Sequence, residues 1–300
     1  MDTNEQPLLE VKDLTVEIPG VLGERQIGLR RVSLSLSPRE ILVLAGETGS
    51  GKSLLARLAS GIADPRVKVL AGSLRVCGEE FPGGRRNRFS ALRRGPVTVV
   101  ANAAAAPPDP GRTVRQWLRE VRRLARGREV ARDWGDVFFN AGLLEPEALL
   151  PRSLVELSAL ERARLAVVRA ILLDSRLLIS EEVSADLDPL AEDAWHELLG
   201  RVRDEFGIGI LVTTGTLRGV ERFANRVAVF FEGGLLESGP PAAILTNPQF
   251  TYTGEFRSCA PGLAVTPRDL PTISRSAVRE AEDFVHRSAT SLQDPEEATG

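Results

Sequence analysis

Apolar and polar residues alternate from Leu8 to Ile18, with Leu9, Val11, Leu14, Val16 and Ile18 on one set of positions and a slip at Lys12-Asp13. That pattern predicts a strand carrying a bulge. Beyond the Pro19-Gly20 turn, Val32, Leu34 and Leu36 alternate with Ser33, Ser35 and Ser37, as a half-exposed strand does. Ile41 to Ala45 is instead an unbroken apolar run, the pattern of a parallel strand buried on both faces. Leu54, Leu55, Leu58 and Ile62 then recur at helical spacing, ending near Gly61. One or two strands are expected over Val67 to Val76, closed by Cys77-Gly78 and Pro82-Gly83-Gly84, and a short one over Val97 to Ala101. From Thr113 to about Leu173 the spacing is mostly helical, with Val114, Leu118, Val121, Leu124, Val137, Phe138 and Leu143 apolar. Strands return at Leu177 to Ile179, Ile208 to Thr213 and Arg226 to Phe231, with a helix from Leu190 to about Phe206 and a Gly233-Gly234 hairpin. After about Val265 the chain is rich in Pro, Ser, Thr, Arg and Glu, which predicts a mobile tail with one short amphipathic helix around 276–288. There is no internal repeat.

This order predicts an α/β fold: a mostly parallel sheet with flanking helices, an N-terminal antiparallel β-subdomain and an inserted all-helical subdomain. The expected division is a first part of the core at 1–84, the helical insertion at 85–155, the second part of the core at 156–246 and a partly disordered extension at 247–300. With 300 residues, 43% hydrophobic and 26% charged, the chain is neither collagen-like nor disordered throughout. Its two cysteines, Cys77 and Cys259, form no disulfide framework and fit a reducing cytosol. A net charge of −3 leaves no electrostatic footprint for nucleic acid as a primary ligand. The acidic, polar start and the absence of long apolar runs predict neither a secretory leader nor a membrane span. The arginine-rich stretch 85–94 reads either as a phosphate or headgroup patch or as a solvated face.

One segment carries chemistry. Gly46, Glu47, Thr48, Gly49, Ser50, Gly51, Lys52 and Ser53 match G-x-x-x-x-G-K-[ST], between the buried strand and the amphipathic helix that this motif requires. Glycines let successive N–H groups turn toward phosphate oxygens at the positive end of the following helix. Lys52 is placed to reach the terminal phosphates of a nucleotide and Ser53 to ligate Mg²⁺. All but three of the 38 basic residues are arginines, so a lysine here marks a place for a compact point charge.

From about Leu8 to Tyr252 the chain resembles the nucleotide-binding subunit of an ATP-binding cassette (ABC) transporter, built on a P-loop NTPase core. The absence of an N-K-x-D guanine-reading motif separates it from GTPases. The resemblance implies ATP and Mg²⁺ as ligands, a second nucleotide-binding subunit, transmembrane permease partners and a place on the inner face of the cell membrane. It also implies roles for particular residues. In Leu177-Leu178-Ile179-Ser180-Glu181-Glu182, Glu181 falls where the family has the magnesium-holding Asp, and Glu182 where it has the catalytic carboxylate that polarises water. Ser158 is the retained residue of the signature, Asp188 that of the D-loop, and Asn102 stands at the Q-loop glutamine position.

Several family positions differ. Glu181 is one methylene longer than Asp, displacing its carboxylate by about 1.5 Å. The signature reads Leu157-Ser158-Ala159-Leu160-Glu161 without its glycine pair, and Ser158 with Glu161 makes an S-x-x-E capping box. Gly215 occupies the position of the switch histidine, with His196 and His286 elsewhere. No aromatic residue precedes Phe81, so Ile18 or Ile27 takes the place of the adenine-stacking ring, and Leu54 replaces a hydroxyl after Lys52-Ser53. One lost transition-state contact costs about 10² to 10³ in rate, and such losses are not additive. The expectation is a subunit that binds MgATP better than it cleaves it. The segment Asn247-Pro248-Gln249-Phe250-Thr251-Tyr252-Thr253 resembles Asn-Pro-x-His-Pro-Tyr-Thr of the oligopeptide, dipeptide and nickel uptake branch, with Phe250 and Thr251 departing from it. Two other readings remain beside the transporter subunit: a regulatory or scaffolding subunit that uses ATP only to dimerise, and a small-molecule kinase with Arg93-Arg94 or Arg122-Arg123 in a lid.

Overall fold

The computed structural model describes residues 6–20, 23–81, 95–100, 109, 111–125, 133–259 and 272–290. Asn102, the arginine-rich stretch 85–94 and most of the Ala/Pro loop at 103–110 lie outside them. Strands β1 (Leu9–Pro19) and β2 (Arg25–Leu36) pair antiparallel, with the register slipping between Val11 and Leu14 where Asp13 adopts φ 44°. The predicted bulge is therefore real, and it keeps Leu9, Val11, Leu14 and Val16 all buried. Strand β3 (Ile41–Ala45) leads to helix α1 (Lys52–Ser60), which ends at Gly61 in the left-handed conformation. Next come β4 (Lys68–Val76), one continuous strand, the two-residue β5 (Glu79–Glu80) and β6 (Val97–Val100).

The helical region that follows comprises α2 (Val114–Leu124), α3 (Trp134–Asn140), α4 (Pro146–Leu149) and α5 (Ala159–Leu172). It is inserted between β6 and β7 (Leu177–Glu181), which are parallel neighbours. Helix α6 (Pro189–Phe206), strand β8 (Gly209–Thr214), strand β9 (Arg226–Phe231) and strand β10 (Gly234–Gly239) complete the core. Helices α7 (Pro241–Thr246), α8 (Thr251–Ser258) and α9 (Arg275–Thr290) follow.

Two sheets result. The antiparallel one has the order β2-β1-β4-β5, and the six-stranded one β10-β9-β3-β8-β7-β6, parallel except for its β9–β10 edge. Strand β3 shows why its sequence is apolar without interruption: Ile41, Val43 and Ala45 belong to the core shared with α5 and α6, and Leu42 and Leu44 to the core beneath α1 and the antiparallel sheet. The C-terminal ends of β3, β7 and β8 converge on the glycine-rich loop, the usual ligand edge of an open parallel sheet.

The amphipathic helix expected around 276–288 is present, and it packs on the core. It is α9, 16 residues long, with Ala277, Ala281 and Val285 buried at four-residue spacing against the core. A Cβ on Gly234 would come within 2.6 Å of Val285 Cγ2, so strand and helix meet at van der Waals contact. Arg31 Nη1 donates to the carbonyl of Ser288 at 2.6 Å, and Phe284 meets Phe250 edge-on with centroids 4.8 Å apart. The sequence pattern predicts the helix but not its docking, which needs only three small apolar residues where Val285 meets a glycine. Ala281 is 0% exposed; Ala281→Arg is expected to cost about 2–4 kcal/mol and to lower the melting temperature by about 5–10 °C. Calorimetric melting checks this, and an unshifted transition would mean that α9 contributes nothing to the fold.

Candidate active site

The loop between β3 and α1 is held from behind by main-chain bonds. Gly46 N–H donates to Thr214 O at 3.3 Å, Ser50 N–H to Glu47 O at 3.1 Å, and Gly233 N–H to Ser50 O at 3.0 Å. Side chains are excluded at two of its glycines. A Cβ on Gly46 would lie 2.4 Å from Phe230 O, and one on Gly51 (φ 97°) 2.9 Å from Gly28 O and 3.1 Å from Gly233 Cα. Gly51 is also the N-cap of α1 and offers no side-chain acceptor, so the first N–H groups of the helix remain directed at the loop. Ser50 Oγ is buried there and makes no hydrogen bond among the described residues.

Lys52 is 2% exposed although charged. Its Nζ donates to Glu47 O at 3.2 Å and lies 3.1 Å from Glu182 Oε1. The Ser53 hydroxyl donates to the same Glu182 oxygen at 3.3 Å. Glu182 reaches this place because its backbone is left-handed (φ 51°, ψ 31°) and its N–H is pinned to the end of β8, at Thr213 O (3.2 Å) and Thr213 Oγ1 (3.1 Å).

Glu181, expected at the metal position, is brought elsewhere. Its Oε1 accepts from Arg57 Nε at 2.7 Å, and among the described residues it makes no bond to Ser53. The longer side chain passes the loop end of α1 and meets the guanidinium one turn farther along the same helix face. The carboxylate beside Ser53 and Lys52 is therefore that of Glu182. A serine hydroxyl and a carboxylate are hard oxygen donors of the kind Mg²⁺ takes, so this pair fits the ion. Arg57 was missed in the sequence; its signal is its place four residues after Ser53. Ile18 and Leu54 meet over Gly28, whose added Cβ would lie 3.0 Å from Ile18 Cγ2 and 2.6 Å from Leu54 Cδ2, which gives the loop an aliphatic flank where an aromatic was absent.

Comparison with known proteins agrees with this geometry. The family model described as "ABC transporter" matches residues 29–185. A putative peptide import ATP-binding protein of Brucella abortus is 30% identical over 90% of this chain and 82% of its own length. The peptidoglycan transport ATP-binding protein YejF of Agrobacterium fabrum is 29% identical over 94% of this chain, which spans only 52% of that protein. Among solved structures, one titled as an ATP-binding subunit of an ABC transporter superposes with a TM-score of 0.62 at 24% identity, covering 79% of this chain and 91% of the other. A dimeric ATP-binding cassette with ADP and Pi gives 0.61 at 18%, covering 78% and 98%.

The chain belongs to the ABC transporter family. It is an ATPase-class cassette, with the P-loop core and antiparallel subdomain expected from its sequence. Two of its family positions serve as helix caps. Ser158 Oγ accepts from Glu161 N at 3.1 Å while Glu161 Oε2 accepts from Ser158 N at 2.6 Å, the predicted capping box at the head of α5. Asp188 Oδ1 accepts from Leu190 N at 3.0 Å and Ala191 N at 2.9 Å, capping α6. Gly215 has open space around it: an added Cβ meets nothing within 4 Å.

The segment that leads into α6 is backed by a histidine that the sequence did not single out for this place. His196 Nε2 lies 3.2 Å from Ser184 Oγ, and its ring stacks on Phe223 with centroids 4.1 Å apart. Burial, and then the charge of Arg222, depress its pKa from 6.5 to about 4, against the opposing charge of Asp193; Arg218 acts in the same direction as Arg222. Below pH 6.5 the unfolded cassette therefore takes up a proton that the folded one refuses. Stability is expected to decline as pH falls from 6.5 toward 4, by about 3 kcal/mol at most. His196→Gln should flatten that part of the stability–pH curve in denaturant titrations; an unaltered slope would show that His196 is not its source.

Proposed function

We propose that this cassette is the ATP-binding subunit of a solute importer, that it binds MgATP through residues 46–53, and that it hydrolyses ATP slowly. The observation that carries the reading is the buried Lys52 at the head of a helix whose cap, Gly51, supplies no side-chain acceptor, set at the C-terminal edge of a parallel sheet. Similarity to proteins named for peptide and peptidoglycan transport, and to a glutathione import protein of Escherichia coli at 29% identity, supports a peptide or peptide-like solute. The loop amides and Lys52 supply ground-state affinity for the triphosphate, and Ser53 and Glu182 the oxygens for Mg²⁺, which when bound neutralises charge developing on the phosphates.

Slow hydrolysis follows from how the acidic side chains are used. Arg57 engages Glu181, while Glu182 is drawn to Lys52 and Ser53. That leaves neither carboxylate of the Glu181-Glu182 pair free to orient an attacking water, and Gly215 brings no imidazole. Leu160, at the second glycine of the signature, presents a side chain where a partner's phosphate must approach.

The proposed partners are a second nucleotide-binding chain in head-to-tail contact and two permease subunits, placing the cassette at the inner face of the cell membrane. No helix among the described residues is long and apolar enough to cross a membrane, so attachment falls to those permeases. A cleft of about 510 Å³ between the core and the helical region, with Ile62, Trp117, Leu124 and Leu165 on its mainly apolar lining, suits a short helix of a permease. The capping duties of Ser158 and Asp188 also favour a second reading, an ATP-dependent scaffold outside any transport cycle. Co-purification with transmembrane subunits separates the two.

Lys52→Ala is expected to raise the MgATP dissociation constant at least about tenfold. Glu182→Gln is expected to change the low turnover of the isolated cassette by less than about tenfold. Calorimetric titration and phosphate release measure these. Brisk hydrolysis abolished by Glu182→Gln would refute the slow-catalyst reading, and absence of binding heat in the wild type would refute the nucleotide reading itself.

A further inference from the structure

Tyr252 is the chain's single tyrosine, and it lies on α8, two hundred residues from the phosphate loop. It is 0% exposed, packed edge-on to Phe231 at 4.8 Å and parallel to Phe256 at 5.9 Å. Its hydroxyl donates to Glu47 Oε2 at 3.0 Å. Glu47 is the second residue of the loop and is otherwise exposed. Its main-chain carbonyl accepts from Lys52 Nζ at 3.2 Å and from Ser50 N at 3.1 Å, so one residue joins α8 to the cationic side chain of the loop.

A carboxylate inside an anion-binding loop is an electrostatic liability. A side chain free to rotate would spend time near the phosphates, where like charges repel strongly in partly desolvated surroundings. The phenol removes that freedom by supplying a donor from the side of α8. Burial, and then the charge of Glu47, push the Tyr252 pKa well above its ordinary value, which keeps the hydroxyl protonated as a donor. The position of α8 is itself fixed. Buried Glu237 accepts from Gln249 N at 3.0 Å and from Phe250 N at 3.4 Å, and Phe250 packs on Phe284 of α9. The departure Phe250 therefore helps to hold the helix that delivers Tyr252 to the loop.

We propose that Tyr252 is a positioning residue for nucleotide binding: it holds the Glu47 carboxylate against the C-terminal extension and away from the seat of the triphosphate. This rests on the reading that residues 46–53 bind MgATP. Tyr252→Phe keeps the ring and removes the donor. The full-length variant should bind MgATP about tenfold more weakly in calorimetric titration, with its nucleotide-free melting temperature within about 2 °C of wild type. The defect should shrink between 0.05 and 0.5 M salt at roughly constant free Mg²⁺, because a charge repulsion is screened and a packing fault is not. Glu47→Gln should bind more tightly than wild type, and adding it to Tyr252→Phe should restore affinity to at least the wild-type level, a coupling that a double-mutant cycle reads directly. Wild-type affinity in Tyr252→Phe, a defect indifferent to salt, or a double variant as weak as the single one would each overturn the proposal while leaving the nucleotide reading intact. A wild type that binds no MgATP would overturn both.

Discussion

The close approach of three backbones behind the phosphate loop is the constraint on which the molecule depends. The loop runs from the end of β3 into α1 with the β9–β10 turn against Ser50 and strand β2 against Gly51, at separations that a single Cβ would violate. That contact fixes the direction of α1, and with it the aim of the helix N-terminus and of Lys52. It also links the two sheets, since Gly28 belongs to the antiparallel one and Gly46 to the end of the parallel one. Burial of both cores then depends on the same few ångströms of main chain that make the ligand seat.

Within that seat, a small change in side-chain length redistributes charge. Glutamate at position 181 is one methylene longer than aspartate, and its carboxylate pairs with Arg57 one helical turn beyond Ser53. The pair is half-exposed on its Arg57 side, so its worth lies in direction more than in stability. Glu182 is left to face Lys52 and Ser53, and the left-handed backbone that turns it there is held by β8. Both carboxylates at the end of β7 are thereby engaged, Glu181 by Arg57 and Glu182 by Lys52 and Ser53.

The C-terminal extension belongs to the same structure. Helices α8 and α9 are joined by Phe250 and Phe284 and seated on β10 through Gly234 and Val285, and they carry Tyr252 to Glu47. Events at the extension are thereby one hydrogen bond away from the loop.

Much of the fold was legible in the residues. The two-faced apolar run of β3, the bulge at Lys12-Asp13, the S-x-x-E cap of α5 and the glycine pattern of the loop each depend on local period or local backbone chemistry, and each stands where the sequence placed it. What the chain could not reveal by itself was which partner each flexible side chain takes. Glu181 turns to Arg57, Glu182 to Lys52, Tyr252 to Glu47 and His196 to Ser184, across separations of 12 to 205 positions. The docking of α9 on Gly234 is of the same kind, because an amphipathic stripe states only that a face will be buried. Local order follows from backbone geometry, which residue types determine within a few positions; long-range polar pairing follows from distances that exist only once the sheets and helices have packed.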